Sequence, residues 1–152
     1  ASHRALSAEV AATAAGQYPL GVVLTCLDSR TAPEQMFDQG IGDIFVGRIA
    51  GNFAGEEMIG SFEFAHKLAG AKVLAVVGHT ECGAVKGACA GAKMGNLTST
   101  LVRHTVDHIL SSSEVLTEMV KAGELGVIGG MYDLSTGKVT FFEDTAHGLK
   151  MP

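Results

Sequence analysis

Positive charge is scarce in this 152-residue chain: 11 Lys and Arg stand against 16 Asp and Glu, for a net charge of −5. The basic residues are scattered, which excludes a nucleic-acid surface, since neutralising phosphates takes grouped Lys and Arg. Long apolar runs are also missing. None approaches the ~18 residues of a membrane-spanning helix, so a soluble domain is expected. The opening stretch, ASHRALSAEVAATAAGQYP, lacks the continuous apolar core of a secretory signal, and a cytoplasmic location is expected, with an organelle or the periplasm as the alternative. It begins on Ala1 and not on Met, so its start fixes no boundary. Cysteine is sparse and odd in number: Cys26, Cys82 and Cys89. Three thiols do not make a disulfide framework in a domain of this size, and fit a reducing compartment or metal ligation better. No repeat, low-complexity tract or linker divides the chain, and its apolar and charged fractions are those of a globular protein. Residues 1–152 are therefore read as one domain with one sizeable core.

What is present alternates between two periodicities. Residues 3–15 are Ala-rich, with Leu6, Val10 and Ala14 at helical spacing, and Gln17-Tyr18-Pro19 ends that helix. Gly21 to Thr25 is a short β-branched run, read as a buried strand. A brief helix is expected over Pro33 to Phe37, then a strand over Asp43 to Ile49. Residues 56–69 carry Met58, Phe62, Ala65 and Leu68 on one face, and Gly70 stops them. Lys72 to Val77 reads as the third strand, and Gly83 to Ala90 begins another helix. One long helix is expected from Arg103 to Lys121, followed by strands over Leu125 to Met131 and Val139 to Phe142. Strands alternating with helices imply an α/β fold with a mostly parallel central sheet flanked by helices. The strands lack polar alternation, as expected when both faces of a sheet are covered.

Two motifs fall at strand ends. Cys26-Leu27-Asp28-Ser29-Arg30 follows the first strand, and His79-Thr80-Glu81-Cys82-Gly83 follows the third. Open α/β sheets bind ligands beyond the carboxyl ends of their strands. Two thiols and an imidazole delivered to that edge suit zinc, and three protein ligands leave a tetrahedral ion one open position, as in catalytic sites. A lone Cys after a strand is usually a small buried hydrophobe. The joint placement of both motifs outweighs that reading for Cys26 and Cys82. Cys89 has no such company and is read as core or a free thiol. Asp28 and Arg30 lie two apart on one loop, where the guanidinium can grip the carboxylate in a bidentate pair and keep it ionised.

The stretches CLDSR, DQGIGDIFVGRIAGN, VVGHTECGAVKGA and MYDLSTGKVTFF, in this order and spacing, resemble the β-class carbonic anhydrases from about residue 3 to residue 143. The resemblance implies zinc on Cys26, His79 and Cys82, with Asp28 and Arg30 as an orienting dyad beside it. It implies reversible hydration of carbon dioxide to bicarbonate on a parallel-sheet core. It also implies a homodimer, in some members paired into tetramers. Gln17 matches a substrate-side amide donor, Phe45 an apolar wall of the carbon dioxide pocket, and Gly83 a backbone N–H facing substrate. Phe64 falls where some members place a tyrosine reaching in from the partner subunit; its hydroxyl is absent here. Without the resemblance, Phe45 and Phe64 are simply core aromatics.

Departures from the family pattern spare the ligands and the dyad. Leu27 replaces a Ser and Ile49 an Asn. A gated subtype carries Trp where this chain has Val23, and the chain has no Trp at all, which favours the open subtype. Family members carry a further helical stretch between GNLT and the long helix, whose start at Arg103 lacks a capping residue. A discontinuity is therefore expected near 101–103. A hydrolase of carbon disulfide or carbonyl sulfide on the same site is an alternative that the motifs do not separate. A non-catalytic zinc or thiol redox module is a third, against which Asp28, Arg30 and the open position count.

Overall fold

The apolar runs form strands that share one direction. In the computed structural model, which describes residues 6–88 and 97–149, five strands lie in the order β2-β1-β3-β4-β5. β1 (Gly21–Thr25), β2 (Ile44–Arg48), β3 (Val73–His79) and β4 (Gly126–Tyr132) are mutually parallel. β5 (Val139–His147) returns antiparallel along β4. All five residues of β1 are buried, as its unbroken β-branched run requires of a central parallel strand. Side chains alternate across it: Val22 and Leu24 join one core cluster and Val23 another.

The larger cluster lies under α3 (Glu56–Glu63), α5 (Leu97–Ser112) and α6 (Glu114–Lys121), with Phe62, Leu74, Val106, Ile109 and Leu116 at its centre. The opposite face, Val23, Ala75, Val77 and Ile128, is met by the short α2 (Pro33–Met36) and by the chain around Leu149. Helix α1 (Leu6–Thr13) buries none of its residues, and Leu6 and Val10 are exposed.

Four elements differ from the sequence expectation. The helix expected over 56–69 is α3 followed by a π-helical turn, Phe64–Leu68, where buried His66 holds the Ala71 carbonyl through Nδ1 at 2.8 Å. The single helix expected over 103–121 is two. Ser113 leaves helical geometry at φ −125, its hydroxyl accepting from the Leu116 N–H (3.1 Å) and donating to Glu63 Oε1 (2.6 Å). Residues 101–103 sit inside the unbroken α5, so the expected discontinuity is absent. Finally, β5 runs on to His147 because polar residues that resemble loop are used by the sheet. The Thr145 hydroxyl accepts from the Gly129 N–H (2.8 Å) at the irregular step of the β4–β5 ladder. Asp144 grips Arg103, whose guanidinium lies 4.1 Å over the Phe142 ring. Cys89 lies outside the described residues.

Ser113 serves two elements with one buried oxygen. Ser113→Ala is expected to destabilise the fold by about 1–2 kcal/mol through loss of the cap and of the bond to Glu63. Urea unfolding at fixed protein concentration measures it, and an unchanged midpoint would contradict the assignment.

Candidate metal centre

The parallel register decides what meets at the sheet edge. Thr25 pairs with Arg48 on one side and Val77 on the other, so Cys26 and His79 emerge beside each other one and two residues further on. The Thr25 hydroxyl donates to the Val77 carbonyl (3.0 Å) and ties the two strands at that point. Beyond β3, Glu81 adopts φ 56, a left-handed conformation that bends the chain back. Cys82 follows, at the head of α4 (Gly83–Ala88), where its carbonyl accepts the Lys86 N–H at 3.0 Å.

Cys26, His79 and Cys82 are each buried, and their ligand atoms lie within 4.8 Å of one another. The two sulfurs are 3.8 Å apart. A disulfide would bring them to about 2.05 Å. Zinc with bonds of about 2.3 Å at a tetrahedral angle sets two thiolates about 3.8 Å apart, which is the spacing found. The His79 Nδ1–H donates to the Thr80 carbonyl at 2.8 Å, and that bond fixes the tautomer. Nε2 is then left with a lone pair, buried and without a hydrogen-bond partner. A buried acceptor with no donor is costly, and a cation between it and the sulfurs satisfies it. The donor set therefore fits zinc.

Electrostatics agree. Burial, with the Cys26 sulfur beside it, pushes the Cys82 thiol up, against the opposing N–H groups of Val85 and Ala84. Burial also lowers His79, which favours the neutral imidazole that ligation needs.

Asp28 stands next to this cluster, its Oδ2 3.9 Å from His79 Nε2. Arg30 holds both carboxylate oxygens, Nε to Oδ1 at 2.9 Å and Nη2 to Oδ2 at 2.7 Å, and its backbone N–H adds a third bond at 3.0 Å. These bonds hold the Asp28 carboxyl well below the usual carboxylate range. It is an anion, and only an acceptor, at any ordinary pH.

Residues the motifs did not single out hold the loop in place. Arg48, at the end of β2, donates to the carbonyls of Cys26 (3.2 Å), Leu27 (3.2 Å) and Asp28 (2.6 Å). The buried Thr31 hydroxyl lies within bonding distance of the Cys26 and Asp28 carbonyls. The Gly51 N–H points at Cys26 Sγ (3.4 Å), from a backbone at φ 76 that glycine adopts without strain. Arg48 and Gly51 lie within the DQGIGDIFVGRIAGN stretch, which gave them no individual role, and Thr31 follows the first motif directly.

Of the remaining candidates Gly83 stays with the cluster, and Gln17 and Phe45 are placed apart. Gly83 adjoins Cys82 at the start of α4. Gln17 is exposed in the loop leading into β1, whose five residues, about 17 Å, separate it from the Cys26 end. Phe45 pairs with Val22 near the same far end. With the 52% exposed Phe64 it lines a cavity of about 430 Å³ between β2 and α3.

A carbonic anhydrase family profile matches residues 21–109, a span that includes all three candidate ligands, Asp28 and Arg30. Carbonic anhydrase 2 of Mycobacterium tuberculosis is 32% identical over 158 aligned positions, covering 84% of this chain and 76% of that protein. The chain belongs to the β class of the carbonic anhydrase family. Its fold matches the Coccomyxa β-carbonic anhydrase in complex with acetazolamide at a TM-score of 0.76 and 23% identity, over 90% of this chain and 77% of that one. A tetrameric β-carbonic anhydrase from Sordaria macrospora superposes at 0.73 and 21% identity, over 86% and 83%. Against the mycobacterial carbonic anhydrase, 158 aligned positions meet about 128 residues of this enzyme, 84% of 152, so about 30 positions have no counterpart here. The unbroken α5 is consistent with a chain that is shorter and not interrupted.

The Cys82 thiol, held protonated by burial, must release its proton to bind a cation, so zinc affinity is expected to rise with pH. Competition against a chelator at pH 6, 7 and 8 should show successively tighter binding, and Cys82→Ser should flatten the slope. Affinity independent of pH would rule out thiolate ligation.

Proposed function

We propose that this enzyme holds zinc on Cys26, His79 and Cys82 and catalyses the reversible hydration of carbon dioxide to bicarbonate and a proton. The observation that carries the reading is the two sulfurs 3.8 Å apart, with an orphaned imidazole nitrogen facing them and an Arg-gripped carboxylate 3.9 Å from that nitrogen. When bound, zinc supplies Lewis acidity, which lets water ionise near neutral pH, as is established for carbonic anhydrases that hold the metal on three His. The protein does the rest by positioning. Asp28 Oδ2 accepts the O–H of the attacking water and aims its oxygen lone pair at the carbon. Arg30 keeps Asp28 turned toward the cluster and anionic, and Arg48 and Thr31 keep the loop beneath it from shifting. The Gly83 N–H, at the start of α4, is the backbone donor next to Cys82 that the family resemblance assigns to substrate.

A dimer completes this reading. Helix α1 has no fully buried residue in its own chain, and a short helix is marginal in water without a surface to pack on. Gln17 and Phe64 are exposed in their own protomer, and a partner across the open β2 edge would bring them to its site. The Sordaria macrospora relative is a tetramer, and a pair of such dimers is the corresponding larger assembly. The free thiols of Cys26 and Cys82 suit a reducing compartment, the cytoplasm.

Stopped-flow assay of the zinc-loaded protein should detect carbon dioxide hydration, and Arg30→Ala should lower kcat/KM about 100-fold with zinc retained. Turnover of carbon disulfide or carbonyl sulfide in place of carbon dioxide would replace the substrate and keep the site. Full zinc occupancy with no turnover of any of the three would reduce the centre to a structural one. Sedimentation across a dilution series should show a dimer, and a stable, active monomer would exclude the shared-site arrangement.

A further inference from the structure

The sulfur of Cys26 is met by a backbone N–H from another element, and the turn that delivers it has an unusual conformation. The chain leaves β2 at Arg48 and turns over residues 49–52. Ile49 is stitched to the end of β1 on both sides of Cys26. Its N–H donates to the Thr25 carbonyl and its carbonyl accepts the Leu27 N–H, both at 3.2 Å. The same carbonyl accepts the Asn52 N–H at 2.9 Å, which closes the turn. Gly51, third in the turn, stands at φ 76 and ψ 7, a third-position geometry that favours glycine. Its N–H belongs to the central peptide of the turn and reaches Cys26 Sγ at 3.4 Å. A Cβ at Gly51 would meet only Leu101 at 3.7 Å and Ala84 at 4.0 Å, so the backbone and not crowding calls for glycine there.

Asn52 follows at φ 49, so two successive residues are left-handed. Residues with a side chain rarely hold that conformation, and Asn is among the few that tolerate it. The Asn52 side chain offers no other reason for its presence. It is wholly buried, and neither its amide nitrogen nor its amide oxygen has a hydrogen-bond partner among the described residues. A buried amide without partners costs stability. What the position uses is the backbone conformation, and conformations of this kind gather where geometry serves function.

We propose that Asn52 is a positioning residue for the metal centre: its left-handed backbone and its bond to Ile49 hold the turn that keeps the Gly51 N–H on the Cys26 sulfur. The inference rests on the metal reading above. An N–H aimed at a ligating thiolate draws charge off the sulfur, so the sulfur donates less and the ion stays more electron-poor. Two thiolates on one ion would otherwise blunt its Lewis acidity. Cys82 receives N–H groups from Ala84 and Val85 at the head of its own helix. Cys26 stands at a strand end and takes its N–H from the turn after β2.

The experiment loads cobalt(II) into wild type, Asn52→Ala, Asn52→Gly and Gly51→Ala, and reads the thiolate-to-metal charge-transfer band. Asn52→Ala removes the residue's tolerance of the left-handed region. Its band should move to lower energy, and its zinc affinity, by chelator competition, should fall about tenfold or more. Asn52→Gly adopts the same φ freely. It should keep the wild-type band and affinity, even though loss of the buried side chain lowers its thermal midpoint. Gly51→Ala strains the turn one residue earlier and should shift the band as Asn52→Ala does, so it carries the test if Asn52→Ala does not fold. An unshifted band in a folded Ala variant would overturn the inference, because a merely structural residue moves the midpoint alone. A shift in Asn52→Gly equal to that in Asn52→Ala would also overturn it and assign the effect to the amide. A wild type that binds neither cobalt nor zinc would sink the metal reading, and this inference with it.

Discussion

Two sulfur atoms held 3.8 Å apart in a buried pocket set the terms for the rest of this structure. Two thiolates at that distance repel, and burial penalises each one. A cation between them would offset both costs, which is why the donor set fits a metal. The parallel pairing of β1 with β3 sets up the arrangement by bringing Cys26 and His79 out side by side. Asp28, Arg30, Arg48 and Thr31 then order the same loop, so the sheet edge, the loop and the second coordination layer are one construction.

Much of this was legible in the sequence because strands and ligands share a simple grammar. GVVLT predicts a buried strand and coincides with β1, and the two motifs fall at strand ends where α/β sheets bind ligands. The Asp28–Arg30 pair could be anticipated from a spacing of two on one loop. Other features depend on contacts that no local pattern encodes. Ser113 reads as one more residue of a long helix until Glu63, fifty positions earlier, is seen to accept from its hydroxyl. Glu143 and Asp144 read as loop, yet they extend β5, because Arg103 from a distant helix neutralises Asp144.

The harder cases are the residues that the resemblance assigns to a site shared with a partner. Gln17, Phe45 and Phe64 came from the family resemblance; within the protomer Gln17 and Phe45 stand away from the metal cluster, and Phe64 is exposed. Nothing in composition or periodicity distinguishes a side chain that serves its own site from one that serves a neighbour's. Arg48 is the converse. It belongs wholly to its own chain, but it acts on three backbone carbonyls, and carbonyls leave no signature in a sequence.

That clamp bears on which ions the protein accepts. A guanidinium presents its donors in a fixed planar fork, and here the fork grips three successive peptide units. The Cys26 end of the site is therefore stiff, and the His79 end is stiff because it belongs to a central strand. A stiff pair of jaws cannot widen for a large cation or rearrange for one that wants six oxygens. Discrimination between metals then comes from shape and from the softness of sulfur, even where the affinity order of divalent ions would favour copper over zinc. In the proposed site the cost would fall on exchange rate, since loosening the Cys26 end means breaking its bonds to Arg48.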